Sequence, residues 1–224
     1  MNYFAHFFID HTHAQPHYTA GLILPDLVRN TNRNLRLPAL ILPNHSPTHP
    51  ITHLNNGVKS HHAADSWFHK SVFFEQHLQT LKNLLYRQQF NSIVKYKYFV
   101  AHVLLEMMID RLLINRFPEL CTLFYQQLAD TDEQVIAQYL ELSGITTAQQ
   151  TEPILVHFNR FYTSQYLFHY HQTEGLLFGL EQLYRRYVPV AFTPSDKQQL
   201  AVCVEAFEVI LSANLPRLFP PNDI

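Results

Sequence analysis

From Gly57 onward, apolar residues recur at helical spacing. "VKSHHAADSWFHKSVFFEQHLQTLKNLLYRQQF" predicts one long helix, or two with a break near Ser71. "VKYKYFVAHVLLEMMIDRLLINRF" predicts a further helix, stopped by Pro118. "ELCTLFYQQLADTDEQVIAQYLELSG" predicts two more, divided by an Asp-rich cap region at Asp130 to Asp132 and ended by Gly144. Residues 147 to 187 hold one or two helices. "TPSDKQQLAVCVEAFEVILSANLPRLF" opens on a Thr-Pro-Ser-Asp cap and runs to Pro216.

The chain before Gly57 is less periodic. Residues 1 to 9 form a short apolar helix or strand, and "HTHAQPHY" is a polar break. "YTAGLILPDLVRN" reads as helical, with Pro25 forcing a kink or a fresh start before Asp26. Residues 30 to 56 carry several prolines and many Asn, and are expected to be a long loop with one helical turn near Pro38 to Leu42. The expectation is one all-α domain over residues 1–224, with 30–56 irregular. Five glycines argue against a turn-rich β-sandwich and against a Gly-rich phosphate loop.

Composition narrows the class. Only 15% of residues are charged, and net charge is −2 with histidine neutral. No basic excess points to nucleic acid. Cys121 and Cys203 show neither metal spacing nor a disulfide framework. His6 and Asp10 interrupt the short apolar N-terminal run, so no signal peptide is expected. No uninterrupted apolar run of membrane-spanning length is seen, and a soluble cytoplasmic protein is the default expectation. Histidine is the excess, at fifteen copies.

Several histidines stand near carboxylates at helical spacing. His102, Glu106 and Asp110 recur every fourth residue within "AHVLLEMMIDRLL", which places them on one helix face. A buried carboxylate must be paired or coordinate a cation. The alternative is a solvent face with ion pairs to Arg111 or Arg116. In "HHAADSWF", His61 is in register with Asp65 and His62 is not. His6 lies among aromatics, where a core histidine bonded to a carbonyl is the commoner case. Asp26 follows Pro25, where an N-cap carboxylate is the plain reading. Histidines and carboxylates drawn from separate helices are a general way to build a metal site in a helical core.

These pieces together resemble the acyl carrier protein phosphodiesterases, an all-α branch of the HD-type metal-dependent phosphohydrolases. "MNYFAHFFI" is similar to that family's Met-Asn-Phe-x-Ala-His opening, and "GLILPDLVR" to its Gly-Asn-x-Leu-x-Asp-Phe-Val-Arg stretch. "GVKSHHAAD" resembles its Gly-x-x-x-His-x-x-x-Asp pattern, which selects His61. "LEMMIDRLL" resembles its Leu-Asp-x-x-x-Asp-His-Phe-Leu helix, and "FNRFYTSQYLFHYHQTEGLLFGLEQLYRR" its Tyr-rich region ending in Arg-Arg. The matched pieces spread over residues 1 to 187. The chain departs at Leu22, where the family has Asn, at Glu106 for Asp and at Arg111 for His. It also runs longer at the C-terminal end.

The resemblance implies a divalent metal, Mn²⁺ or Mg²⁺, with Fe²⁺ or Zn²⁺ also compatible with mixed ligands. It implies hydrolysis of the phosphodiester between 4′-phosphopantetheine and a serine of acyl carrier protein. His6, Asp26, His61 and Asp65 are the expected metal ligands. Asp65, Glu106 and Asp110 are the expected catalytic carboxylates, ligating or orienting a water. Arg29 and Arg111 are candidate phosphate donors. Acyl carrier proteins are acidic, so Lys95, Lys97, Arg185 and Arg186 are candidate docking cations. A non-catalytic helical metal-binding protein, or an interaction module that kept the core, is the alternative.

Overall fold

A computed structural model describes residues 1–13, 15–43, 46–93 and 96–219. Among the described residues the chain is all-α, as the periodicity predicts, with no strand. Ten α-helices follow in order: α1 Tyr3–Asp10, α2 Pro16–Thr31, α3 Pro50–His69, α4 Val72–Tyr86 and α5 Lys97–Arg116, then α6 Pro118–Ala129, α7 Glu133–Leu142, α8 Ala148–Ser164, α9 Thr173–Arg185 and α10 Pro194–Leu218. Residues 11–13 and 166–171 form short 3₁₀ segments.

The helices group into two compact units. Unit A comprises Tyr3–Ser66 and Phe117–Tyr166; unit B comprises Met1–Asn2, Trp67–Arg116 and the chain from Leu167 onward. In unit A, α2 packs against α1, α6 and α8, and α7 against α8. Its core is aromatic: Phe7 lies 5.2 Å from Phe124 and Tyr3 lies 4.6 Å from Phe161, ring to ring. Edge-on and tilted ring pairs of this kind add to the area they bury.

Two glycines set how closely α2 and α3 approach. A Cβ on Gly21 would lie 2.1 Å from the Leu54 carbonyl oxygen, and one on Gly57 would lie 2.1 Å from that of Tyr18. Backbone cannot step aside as a side chain can, so both positions need glycine. Gly57 therefore sits in the middle of α3, which starts at Pro50 and not near Gly57 as the period suggested. The irregular region is correspondingly shorter, and the expected turn at Pro38 to Leu42 is not helical. Instead the Asn55 carboxamide accepts from the Leu40 N–H at 2.7 Å and donates to the Leu40 carbonyl at 3.0 Å. Tyr139 donates its hydroxyl to Asn55 Oδ1 at 2.7 Å. Side chains thus satisfy the backbone that a helical turn would have paired.

Pro25 neither ends nor restarts α2, which runs through it. Only the bond to the Gly21 carbonyl is forfeited, and burial of Leu22, Ile23, Leu24, Leu27 and Val28 holds the helix on both sides. Likewise α10 continues through Pro216 to Leu218.

In unit B, α4, α5, α9 and α10 pack against one another. Ser71 caps α4 by accepting from the Phe74 N–H, which fixes the break expected there. Thr193 and Asp196 form the capping box of α10. Asp196 is fully buried and also accepts from the Asn91 and Ser92 N–H groups and the Ser92 hydroxyl. One helix-start carboxylate therefore also ties down the loop before α5.

Helix α10 contains a stretch long and apolar enough to cross a membrane by length and composition alone, although Glu205 and Glu208 interrupt it. Here its Leu200, Cys203, Val204, Phe207, Leu211 and Leu215 are buried at three- and four-residue intervals. That is the stripe of a helix packed on one face, while Val202 and Val209 stay exposed.

Candidate metal centre

Unit A brings four of the sequence-predicted residues together. His6 projects from α1, Asp26 from the third turn of α2, and His61 and Asp65 from consecutive turns of α3. His6 Nε2 stands 3.3 Å from Asp65 Oδ1. His61 Nε2 stands 3.8 Å from Asp65 Oδ2 and 3.9 Å from Asp26 Oδ1. The two imidazoles stack with centroids 4.1 Å apart at 21°. His6, His61 and Asp65 each offer a ligand atom within 4.8 Å of the others.

The tautomer of His61 follows from its other nitrogen. Its Nδ1 lies 2.8 Å from the Leu22 carbonyl oxygen, which can only accept, so Nδ1 carries the proton. Nε2 then presents a lone pair toward Asp26 and Asp65. A lone pair facing two carboxylates is repulsive unless a cation or a proton lies between them. An imidazole N–H anchored on a backbone carbonyl, with the opposite nitrogen free, is the usual setting of a histidine ligand. His62 is exposed and directed elsewhere, to the Leu37 carbonyl at 2.8 Å, which agrees with the register that singles out His61.

His6 is the stronger anomaly. It is 1% exposed, and neither ring nitrogen has a hydrogen-bond partner among the described residues. At 3.3 Å the Asp65 oxygen is close, but the contact lacks hydrogen-bond alignment. Leaving a buried polar group unmatched costs about 1–3 kcal/mol. The core-histidine reading, with a ring nitrogen on a carbonyl, is therefore not what the structure contains. Burial first, and the neighbouring His61 next, lower His6 to about 3 against the opposing pull of Asp65. Burial alone would raise the Asp65 carboxyl, but His6 and His61 outweigh it and hold Asp65 below the usual carboxylate range. Near neutral pH the pair is thus a neutral imidazole and an ionised carboxylate, both in ligand form.

The other predicted site residues divide between the two units. Arg29 is exposed in the last turn of α2, three residues beyond Asp26. Glu106 and Asp110 belong to unit B, on α5, where Asp110 is fully buried and Glu106 nearly so. The solvent-face alternative for them does not hold. Arg111 is buried beside them and forms a two-pronged ion pair with Glu208, Nε to Oε1 at 3.2 Å and Nη2 to Oε2 at 3.1 Å, with Nη1 donating to Thr173. Its fork meets a carboxylate of its own chain. Lys97 donates to the Gln88 carbonyl and lies over Tyr86 and Phe90. Arg185 and Arg186 are exposed, and Lys95 lies outside the described residues.

Glu106 has partners of its own. Its Oε1 accepts from His69 Nε2 and His102 Nε2, each at 3.0 Å, and the amino group of Met1 is 3.6 Å away. Burial by itself would raise the Glu106 carboxyl; the ammonium and the two imidazoles outweigh it and hold it well below the usual range. His102 was visible in the sequence; His69 was not singled out. The available signal was that His61, Asp65 and His69 continue at steps of four along α3. His69, His102 and Glu106 form a second group that could hold a metal ion. The chain matches no family model, no curated protein and no solved structure.

Proposed function

We propose that the chain is a metal-dependent phosphodiesterase, with holo acyl carrier protein as the leading candidate substrate. The observation that carries this reading is the buried His6, with both ring nitrogens unmatched beside His61, Asp26 and Asp65. Those four positions are also the ones the family resemblance marks as ligands. The donor set of two imidazoles and two carboxylates fits Mn²⁺ and admits Fe²⁺ or Zn²⁺; Mg²⁺ prefers oxygen alone.

When bound, a divalent ion acidifies water and offsets charge on phosphoryl oxygens. The chain's own residues do the rest. His61, locked by the Leu22 carbonyl, offers its Nε2 lone pair without further ordering. Asp65 stays ionised and can accept the proton of an attacking water. Arg29, exposed one turn beyond Asp26, is the candidate donor to a non-bridging phosphate oxygen. Water adds to phosphorus, the bond from phosphorus to the serine oxygen breaks, and that oxygen takes a proton. The products are 4′-phosphopantetheine and the free serine of the carrier protein.

The test is release of 4′-phosphopantetheine from holo acyl carrier protein with Mn²⁺ supplied, alongside a generic phosphodiester. Turnover of both supports the reading. Turnover of the generic ester alone keeps the enzyme and discards the substrate. Turnover of neither, by folded and metal-loaded protein, replaces the reading with a non-catalytic metal-binding protein.

A further inference from the structure

Unit B holds a histidine–carboxylate group that the hydrolase reading does not use. His69 comes from the last turn of α3, and His102 and Glu106 from consecutive turns of α5. Both Nε2 atoms converge on one carboxylate oxygen, each at 3.0 Å. The rings are held by aromatic packing. Phe74 meets His69 edge-on at 4.9 Å and His102 at 5.1 Å, Phe68 closes on His69 at 5.4 Å, and the two imidazoles lie 5.1 Å apart. Two imidazoles fixed in one orientation lose little freedom on binding an ion.

Three features favour a cation there. The donors are two imidazoles and one carboxylate, a set suited to a borderline transition metal such as Zn²⁺. The Glu106 side chain is only 16% exposed, so the oxygen on which both rings converge lies in a largely dry place. The imidazoles, by contrast, are 32% and 31% exposed. His69 also lines an open cleft of about 360 Å³ with Lys70, Ser71, Lys82 and Tyr98.

We infer that His69, His102 and Glu106 form a second divalent-metal site, selective for Zn²⁺-class ions and independent of the site built on His6 and His61. In the ion-free state each Nε2 carries the proton it shares with Glu106. Ligation requires the other tautomer, with that proton on Nδ1. The ion replaces two hydrogen bonds to one oxygen with three ligand bonds.

The test is a metal titration of the full chain, with Co²⁺ as the spectroscopic probe and Zn²⁺ as competitor. His102→Gln and His69→Gln should each abolish one Co²⁺ absorption component, or weaken it at least about tenfold. The component lost with Asp65→Asn should survive both. Circular dichroism and melting check that the variants are folded; if His102→Gln is not, the more exposed His69→Gln decides. Co²⁺ spectra unchanged in a folded His69→Gln variant would overturn the site. If Asp65→Asn changes nothing while His69→Gln removes the signal, this inference stands and the hydrolase reading loses its metal.

Discussion

The histidine–carboxylate groups of units A and B use the same side chains in opposite ways. In unit B, each imidazole donates directly to Glu106 at 3.0 Å, so the polar atoms satisfy one another without help. In unit A, the corresponding distances are 3.3 to 3.9 Å, and His6 has no aligned hydrogen-bond partner among the described residues. The first arrangement is complete as it stands. The second is costly until something lies between its donors. Ions at the two places should therefore differ in consequence. At His6 an ion removes an existing penalty; at Glu106 it competes with hydrogen bonds already made. Asp196 shows that burial alone does not leave polar atoms unmatched, because hydrogen bonds from the backbone and hydroxyl groups satisfy it.

The largest effect should come from removing a carboxylate from the unmatched group. Asp65→Ala is expected to lose the ion bound in unit A and to lower phosphodiester turnover by about 10²–10⁴-fold. Atomic-absorption metal content and turnover should fall together, while the Co²⁺ signal assigned to His69 and His102 persists. Full metal content in this variant would erase the distinction between the two groups.

Next is Gly57→Ala, which tests whether the close approach of α2 and α3 sets up unit A's site. The new Cβ would meet the Tyr18 carbonyl oxygen at 2.1 Å, and only helix displacement relieves that. Overpacking of this kind costs about 1–3 kcal/mol. In a chain of this size each kcal/mol lowers Tm by about 2–4 °C. Metal affinity at the unit A group should fall with it and that at the unit B group should hold. An unchanged Tm would show that the two backbones are not held at this distance.

How much of this was legible follows from the same contrast. Periodic apolar spacing gave α5 and the cap regions at Asp132 and Thr193, and allowed the break near Ser71 as one of two readings, because local hydrogen bonding and one-sided burial decide those elements. It misplaced the start of α3, because Gly57 reads as a breaker until its contact with Gly21 is seen. It also treated Pro25 as an interruption, although flanking burial carries α2 past a single missing bond. The grouping of His6, Asp26, His61 and Asp65 was anticipated from family register and not from periodicity. The ion pair of Arg111 with Glu208 was not legible, because Glu208 lies 97 residues away on α10, a pairing that no local pattern encodes. His69 continues the step-of-four register of His61 and Asp65, but that register does not show that His102 and Glu106 stand opposite it.

A smaller effect separates the groups by pH. Between pH 6.5 and about 3 the unfolded chain protonates His6 while the folded chain does not. The unfolded state then binds more protons, so stability falls as pH drops below about 6.5. His6→Leu should remove that acid-sensitive component. Without metal it should be neutral or stabilising by about 1–2 kcal/mol, since it deletes unmatched polar atoms. Urea midpoints between pH 7 and pH 5, with chelator present, make the comparison. A His6→Leu protein that is less stable at every pH would mean His6 is a satisfied core residue.

The smallest effect belongs to unit B in the absence of metal. Glu106 has its pKa lowered, so its contribution is complete above the ordinary carboxylate value of 4.5 and is lost as pH falls further. Between pH 7 and pH 5 it stays constant, whereas the His6 component does not. His102→Gln removes one of two imidazole hydrogen bonds but leaves the one from His69, and a glutamine carboxamide can still donate. The cost should be about 0.5–1.5 kcal/mol. A double-mutant cycle with Glu106→Gln isolates the pair. A coupling well above about 3 kcal/mol would show that the fold depends on this contact even without an ion, and the group would then be a structural strut between α3 and α5. A small coupling, combined with loss of Co²⁺ binding, leaves metal as the reason that two imidazoles are aimed at one oxygen.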